Sequence, residues 1–301
     1  MDTAIQLERH YQNTASNLLL TAFSFTPGAS EEAARLIQAK YDLPGFHTFP
    51  LHTKAKYLAD ELAHLFPPSI LHLARQTPRA DHPNQLIVLE NITVDGQHPH
   101  LIEGVTLAFL ELSYGQSKLV PRKIPLKRKN GDISAYGEEW HQDRPLGDRI
   151  PVSTLSGVEC LVTPPTRFCN MGMLMRSLPP EIRAVIDIDG RNYPLTGSGF
   201  THPDKLTAVD LVQLQRHGIE AATAIRDVPL EKVREVAEHW LPAAEHFMLE
   251  YSIGQGTMLW WRNERELFHS ATVGAPLTHL KKDDVVRDLT YMGCDPTQFP
   301  D

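Results

Sequence analysis

The sequence predicts a mostly β fold of the β-sandwich or jelly-roll type, flanked by helices and interrupted by one helical insert. From Ser134 onward, short runs of strand length follow one another, and turn residues such as Pro164 and Pro165 separate them. Residues 1–84 instead carry helical patterns. The 301 residues contain no repeat and no low-complexity linker, so we expect one domain with N-terminal helices over 1–84 and a β core over 85–301.

The first half of the chain is expected to hold two clear helices and one strand. These are a helix over 31–41 with Ser30 as its N-cap, a helix over 53–65 that Pro67 ends, and a strand over 85–92. Residues 103–113 fit a helix or a strand. We interpret the basic segment 118–129 as a solvated loop or hairpin, with a phosphate-binding patch as the alternative.

Strands dominate the second half, with a helical insert at about 196–241 whose helix is expected to end before Pro242. The strands are expected at 152–162, 183–188, 245–253, 257–261, 269–273 and 285–292.

Composition and charge exclude several classes of protein. Charged residues make up 22% of the chain and the net charge is −8, so the basic excess typical of nucleic-acid binding is missing. The N-terminus carries no basic region before an apolar stretch, and we expect neither a signal peptide nor a membrane span. The three cysteines show no C-x-x-C spacing. We therefore expect a soluble, cytoplasmic protein.

An H-x-D pattern suggests a metal site. His141 and Asp143 are two residues apart, so on a strand both side chains point to one face. A second match at 202–204 has proline in its middle and is set aside. His269 lies 126 residues after Asp143, on an expected strand that can fold back beside the first. Two histidines and one carboxylate on one face form the facial triad of non-heme Fe(II) oxygenases, which leaves positions open for 2-oxoglutarate and O2.

Several motifs resemble one family of enzymes. Residues 140–143 read W-H-Q-D, and T-R-F-C-N is followed by S-L-P-P-E. Further along the chain come G-Q-G-T-M-L-W-W-R-N-E-R-E-L-F-H and R-D-L-T-Y-M-G. In these motifs, over residues 86–295, the chain resembles the taurine dioxygenase / clavaminate synthase-like family of Fe(II)/2-oxoglutarate-dependent dioxygenases.

The resemblance implies a fold and a set of site residues. The fold would be a double-stranded β-helix, which is a cupin-like jelly roll. His141, Asp143 and His269 would be the catalytic iron ligands. Thr166 would hydrogen-bond the cosubstrate, and Arg287 would bind its distal carboxylate. The spacing from His269 to Arg287 is a few residues longer than is usual in the family, which leaves Lys281 and Lys282 as alternative anchors.

The resemblance also implies an activity. The protein would hydroxylate an unactivated C–H bond of a small, amino-acid-like substrate, with succinate and CO2 as co-products. The part of the insert at about 196–226 would act as a lid over the substrate. Two alternatives stay open: desaturation or cyclisation by the same site, and a non-catalytic β-helix binding protein with a vestigial metal site. A zinc hydrolase fits less well, because its two histidines usually share one helix.

Overall fold

A computed structural model of the chain describes most of its length. The described residues are 4–76, 83–93, 100–114, 122–130, 140, 152–187, 205–218, 228–262, 266–271 and 277–294. The helices are α1 (Pro27–Tyr41), α2 (Leu51–Leu62), α3 (Pro68–Arg75), α4 (Leu101–Tyr114), α5 (Met171–Ser177), α6 (Pro180–Ala184), α7 (Ala208–His217) and α8 (Leu230–Phe247). The strands are β1 (Ile5–Asn13), β2 (Leu18–Phe25), β3 (Asn84–Glu90), β4 (Arg122–Lys129), β5 (Val152–Cys160), β6 (Pro165–Asn170), β7 (Ile186–Asp187), β8 (Leu206–Thr207), β9 (Leu249–Ser252), β10 (Met258–Arg262), β11 (Leu267–Ala271) and β12 (Val285–Cys294).

Two sheets build the β core. The large sheet has seven strands in the order β1-β2-β3-β10-β5-β12-β4, and the small sheet has three in the order β11-β6-β9. From β5 onward the chain passes repeatedly between them: β5 is in the large sheet, β6 and β9 in the small one, β10 in the large, β11 in the small and β12 in the large. These strands pair antiparallel. This connectivity is that of a jelly roll, and the predicted fold class is confirmed.

The central strand β10 of the large sheet is buried on both faces. On β10, Leu259 and Trp261 pack into an apolar cluster between the two sheets, together with Phe168 of β6. Met258 and Trp260 point the other way and pack with residues of α1 to α4. A strand that is buried on both faces has no polar side, which explains why the segment M-L-W-W is a continuous apolar run.

Two arginine side chains donate hydrogen bonds to carbonyls at the C-terminal ends of α3 and α4. Arg75 Nε donates to the carbonyl of Ser113 at 2.7 Å, at the end of α4. Arg262 Nη2 donates to the carbonyl of Arg75 at 3.1 Å, at the end of α3. The last carbonyls of a helix have no partner inside it, so these donors satisfy them and link the helices to β10.

The prediction of helices over 1–84 is wrong for the first part of that range, where β1 and β2 form a hairpin. β2 pairs antiparallel with β1 and parallel with β3, which places it inside the large sheet. Its residues L-L-L-T-A-F-S-F are buried on both faces apart from one half-buried position, so the alternation that marks a strand is missing. The hairpin adds two strands to the large sheet.

The start of α1 also differs from the prediction. The helix begins at Pro27 rather than at residue 31, and Thr26 is its N-cap, with Oγ1 accepting from the backbone N–H of Ala29 at 3.3 Å. Proline suits the first position of a helix, because the backbone N–H that proline lacks would have no partner inside the helix there. Ser30 lies inside the helix and donates its hydroxyl to the carbonyl of Asn91.

In the second half, α8 continues through Pro242 to Phe247 instead of ending before the proline. Buried side chains on both sides of it, Trp240 and Ala244, pack into one apolar cluster, and this packing offsets the lost hydrogen bond. The expected strand at 183–188 is mostly wrong, because α6 ends at Ala184 and the strand there has two residues.

The fold decides between helix and strand for residues 103–113, and it locates the basic segment. Residues 103–113 are helical and belong to α4, which is buried at nearly every position. The basic segment contains the strand β4, at the edge of the large sheet. Pro125 is tolerated within β4 because an edge strand need not donate to a neighbour on its free side. None of the described helices is long and apolar enough to cross a membrane.

Gly157 of β5 is required by close packing, which gives a prediction about stability. A Cβ atom there would stand 2.0 Å from the carbonyl oxygen of Gly254. We expect Gly157→Ala to push the 254–256 turn away and lower the free energy of unfolding by about 1–3 kcal/mol, measured in urea. The control is Gly28→Ala in α1, where a Cβ meets no atom within 4 Å. Equal stability of the two variants would contradict the packing argument.

Candidate metal and cosubstrate site

His269 lies between the two sheets. It is on β11, is 7% exposed, and stands opposite Phe168 of β6 in the register. Its ring centroid is 5.9 Å from that of Phe168 and 5.0 Å from that of Trp261, which belongs to the facing sheet. Aromatic rings from both sheets therefore surround the imidazole in a buried position inside the jelly roll.

Thr166 lies two register pairs from His269, on the same face of the small sheet. It is on β6, opposite Ala271 of β11 on one side and Tyr251 of β9 on the other. The residue is 1% exposed, and its Oγ1 atom has no hydrogen-bond partner within the described part of the chain. A buried hydroxyl without a partner is costly, so this atom is well placed to bond a ligand.

Arg287 lies on the inner face of the large sheet and is 4% exposed. A β-bulge between Val285 and Arg287 changes the direction of the side chains. Before the bulge, Val285 is exposed, whereas after it Arg287 is buried on the face that Leu289 also uses. Bulges commonly re-aim a side chain next to an active site.

Arg287 and Thr166 lie at the same end of the jelly roll. Arg287 stands opposite Cys160, the last residue of β5, and β6 begins at Pro165 after a short link. Burial raises the pKa of the Cys160 thiol, while the Arg287 guanidinium opposes this by charge and by a hydrogen bond. A buried cationic side chain and a buried hydroxyl side chain thus lie at the same end of the two sheets.

Lys281 and Lys282 lie on an exposed turn that precedes β12. The backbone N–H of Lys281 donates to Asp284 Oδ2 at 2.8 Å, which shapes this turn. Neither lysine is buried between the sheets as Arg287 is.

The W-H-Q-D motif is represented in the structure by Trp140. This residue is 2% exposed and packs with Phe268 and Trp240 in an apolar cluster on the outer side of the small sheet. Its indole Nε1 donates to Gln215 Oε1 of α7 at 2.9 Å. His141 and Asp143 lie outside the described residues, as does the discarded match at 202–204. The described residues by themselves contain no cluster of three or more His, Cys, Asp or Glu side chains suited to a metal ion.

A polar link beside Thr166 was not predicted from the sequence. Tyr251, opposite Thr166, donates its hydroxyl to Glu90 of β3, and Glu90 also accepts from Arg9 of β1. Burial and the nearby Glu90 carboxylate raise the pKa of Tyr251, so its hydroxyl stays a donor at neutral pH. The link joins the two sheets at the end where Thr166 and Arg287 lie. No local sequence pattern signals it, because Tyr251 and Glu90 are 161 residues apart.

The chain was compared with known proteins. No protein-family model matches it, and no curated protein matches it. Among solved structures it is similar to the non-heme iron oxygenase OrfP in complex with Fe, with a TM-score of 0.49 and 15% identity over 91% of this chain and 94% of that one. It is also similar to an asparagine oxygenase in complex with Fe(II), 2S,3S-3-hydroxyasparagine and succinate, with a TM-score of 0.49 and 14% identity over 90% and 92% of the two chains. At these identities the roles of individual residues rest on the geometry given above.

Proposed function

We propose that the protein is an Fe(II)/2-oxoglutarate-dependent dioxygenase that hydroxylates an unactivated C–H bond of a small, amino-acid-like substrate, with succinate and CO2 as co-products. One observation carries the proposal. The two candidate histidines each follow an aromatic residue of the same buried cluster, His141 after Trp140 and His269 after Phe268.

The alternation of strand side chains explains why this observation matters. Phe268 packs on the outer side of the small sheet, and the next residue, His269, therefore points between the sheets. Consecutive Cα atoms are about 3.8 Å apart, so the Cα atom of His141 is this far from the Cα atom of Trp140. We propose that His141, the residue after Trp140, points between the sheets as His269 does. Asp143, two residues after His141, is proposed to lie on the same face.

This donor set fits Fe(II). Imidazole nitrogens and one carboxylate oxygen on a single face are the ligands of non-heme iron oxygenases. The aromatic rings of Phe168 and Trp261 around His269 exclude water from the region. When bound, Fe(II) supplies the redox chemistry that couples the oxidation of 2-oxoglutarate by O2 to hydroxylation of the substrate.

Thr166 and Arg287 are proposed to bind 2-oxoglutarate. A buried guanidinium suits a carboxylate because its planar fork makes two parallel hydrogen bonds. Thr166 contributes a hydroxyl at the same end of the jelly roll. The exposure of Lys281 and Lys282 favours Arg287 as the anchor.

A substitution at Thr166 separates a binding role from a structural one. We expect Thr166→Val to raise the Kd for 2-oxoglutarate about 2- to 10-fold, which corresponds to one hydrogen bond. The free energy of unfolding should stay equal or rise, because a buried hydroxyl without a described partner is removed. Calorimetric titration and urea unfolding measure the two quantities.

The control for this substitution is Thr154→Val on β5. The Thr154 hydroxyl donates to the carbonyl of Met292 at 3.1 Å, so its removal is expected to lower stability and to leave the Kd unchanged. A Thr166→Val protein that loses stability but keeps its affinity for 2-oxoglutarate would show that Thr166 is structural.

The insert is proposed to select the substrate. The hydrogen bond from Trp140 to Gln215 attaches α7 of the insert directly beside the residue that precedes His141. We therefore propose that polar residues of 196–226 determine which substrate is accepted. We also propose that the chain forms a single oxygenase domain and that the protein acts in the cytoplasm.

One assay tests the function as a whole. The protein is incubated with Fe(II), 2-oxoglutarate, O2 and a panel of L-amino acids, and succinate and product masses are measured. Stoichiometric succinate with a product that gains one oxygen supports the proposal. A product that loses two hydrogens would assign desaturation or cyclisation instead. Fe(II) binding without succinate from any substrate would favour a non-catalytic binding protein.

A further inference from the structure

The basic strand β4 brings a second arginine to the position of the proposed cosubstrate anchor. Arg128 stands directly opposite Arg287 in the antiparallel register, and two positions further Leu126 stands opposite Leu289. Leu126 packs against the apolar cluster between the sheets. Because side chains two residues apart share a face, Arg128 also belongs to the inner face.

The neighbours of Arg128 on β4 point the other way. Lys127 is exposed and pairs with Asp288 at 3.1 Å, and Lys129 is exposed and pairs with Asp283 at 3.3 Å. Arg128, in contrast, is half-buried. The basic residues described on this strand therefore divide into an outer, solvated set and one inward arginine.

Two guanidinium groups in this arrangement can donate to one carboxylate. Directly opposite residues of an antiparallel pair have Cβ atoms about 4.5–5.5 Å apart, so the side chains of Arg128 and Arg287 can reach the same part of the space between the sheets. Arg287 is buried there, and hydrogen bonds to a charged group are stronger where water is excluded.

We propose that Arg128 and Arg287 together bind the distal carboxylate of 2-oxoglutarate, so that Arg128 makes the site selective for a dicarboxylic oxo acid. The inference rests on the proposed function, because it concerns the same cosubstrate pocket. A carboxylate with one oxygen toward each guanidinium accepts hydrogen bonds from both, and charge-assisted hydrogen bonds of this kind are the strong ones.

The test is calorimetric titration of the Fe(II)-loaded protein without O2, using two ligands. One is 2-oxoglutarate, and the other is 2-oxopentanoate, which has the same chain length and lacks the distal carboxylate. We expect Arg128→Ala to weaken 2-oxoglutarate binding about 10-fold or more and to leave 2-oxopentanoate binding unchanged. Arg128→Lys retains the charge without the fork and is expected to recover part of the affinity.

Lys127→Ala is the matched control, on the same strand and the opposite face, and is expected to bind both ligands as the wild type does. If Arg128→Ala resembles Lys127→Ala, or weakens both ligands equally, Arg128 is not part of the anchor. A wild-type protein that does not prefer 2-oxoglutarate to 2-oxopentanoate would instead overturn the cosubstrate assignment itself, and this inference with it.

Discussion

Replacing His269 by alanine is expected to abolish stoichiometric Fe(II) binding and to reduce 2-oxoglutarate turnover to background. The reason is that one of three proposed ligands is lost, and even the loss of an outer hydrogen-bond partner costs about 10–100-fold in metal affinity. His141→Ala is expected to have the same effect. Equilibrium dialysis with Fe(II) and succinate formation are the two measurements.

The control for these variants is His279→Ala, which replaces an exposed histidine on the turn before β12. Since His269 packs against Phe168 and Trp261, its truncation leaves a cavity, and His269→Gln provides a second variant of similar volume. Circular dichroism confirms that the variants are folded. Turnover like that of the wild type in a folded His141→Ala or His269→Ala protein would refute the ligand assignment.

Replacing Arg287 by alanine is expected to raise the Kd for 2-oxoglutarate by roughly 30- to 4,000-fold. Truncating one partner of a buried charge pair costs about 2–5 kcal/mol, much of which comes from the charge left unpaired. Arg287 is buried between the sheets, where water cannot replace the lost partner. Calorimetric titration without O2 measures the effect apart from turnover.

Lys281→Ala and Lys282→Ala are the comparison for this prediction. Both lysines lie on the exposed turn, so neither variant is expected to change the Kd beyond experimental error. If one of these lysine variants weakens 2-oxoglutarate binding while Arg287→Ala does not, the anchor is that lysine. The role of the anchor would then have passed from Arg287 to a lysine, in line with the longer spacing after His269.

Local patterns in the sequence determined the fold class and the candidate residues. The strands β5, β10 and β12 were predicted close to their observed positions, because turn residues delimit each of them. The motif around His141 and Asp143 is likewise local, since residues two apart on a strand share a face whatever the rest of the chain does. The sequence was least informative where an element is buried on all sides. α4 and β2 show little periodicity for this reason: α4 packs against the large sheet, whereas β2 pairs inside it.

The tertiary structure alone decided which distant residues meet. The pairing of Arg128 with Arg287 depends on the register between β4 and β12 and on the bulge after Val285. A shift of one residue in that register would turn Arg128 toward solvent, and nothing in either segment by itself specifies the register. The contact of Tyr251 with Glu90 likewise joins two sheets. Such contacts form when the jelly roll closes, and this closure depends on the whole apolar core. The spacing of residues in the sequence therefore does not predict them.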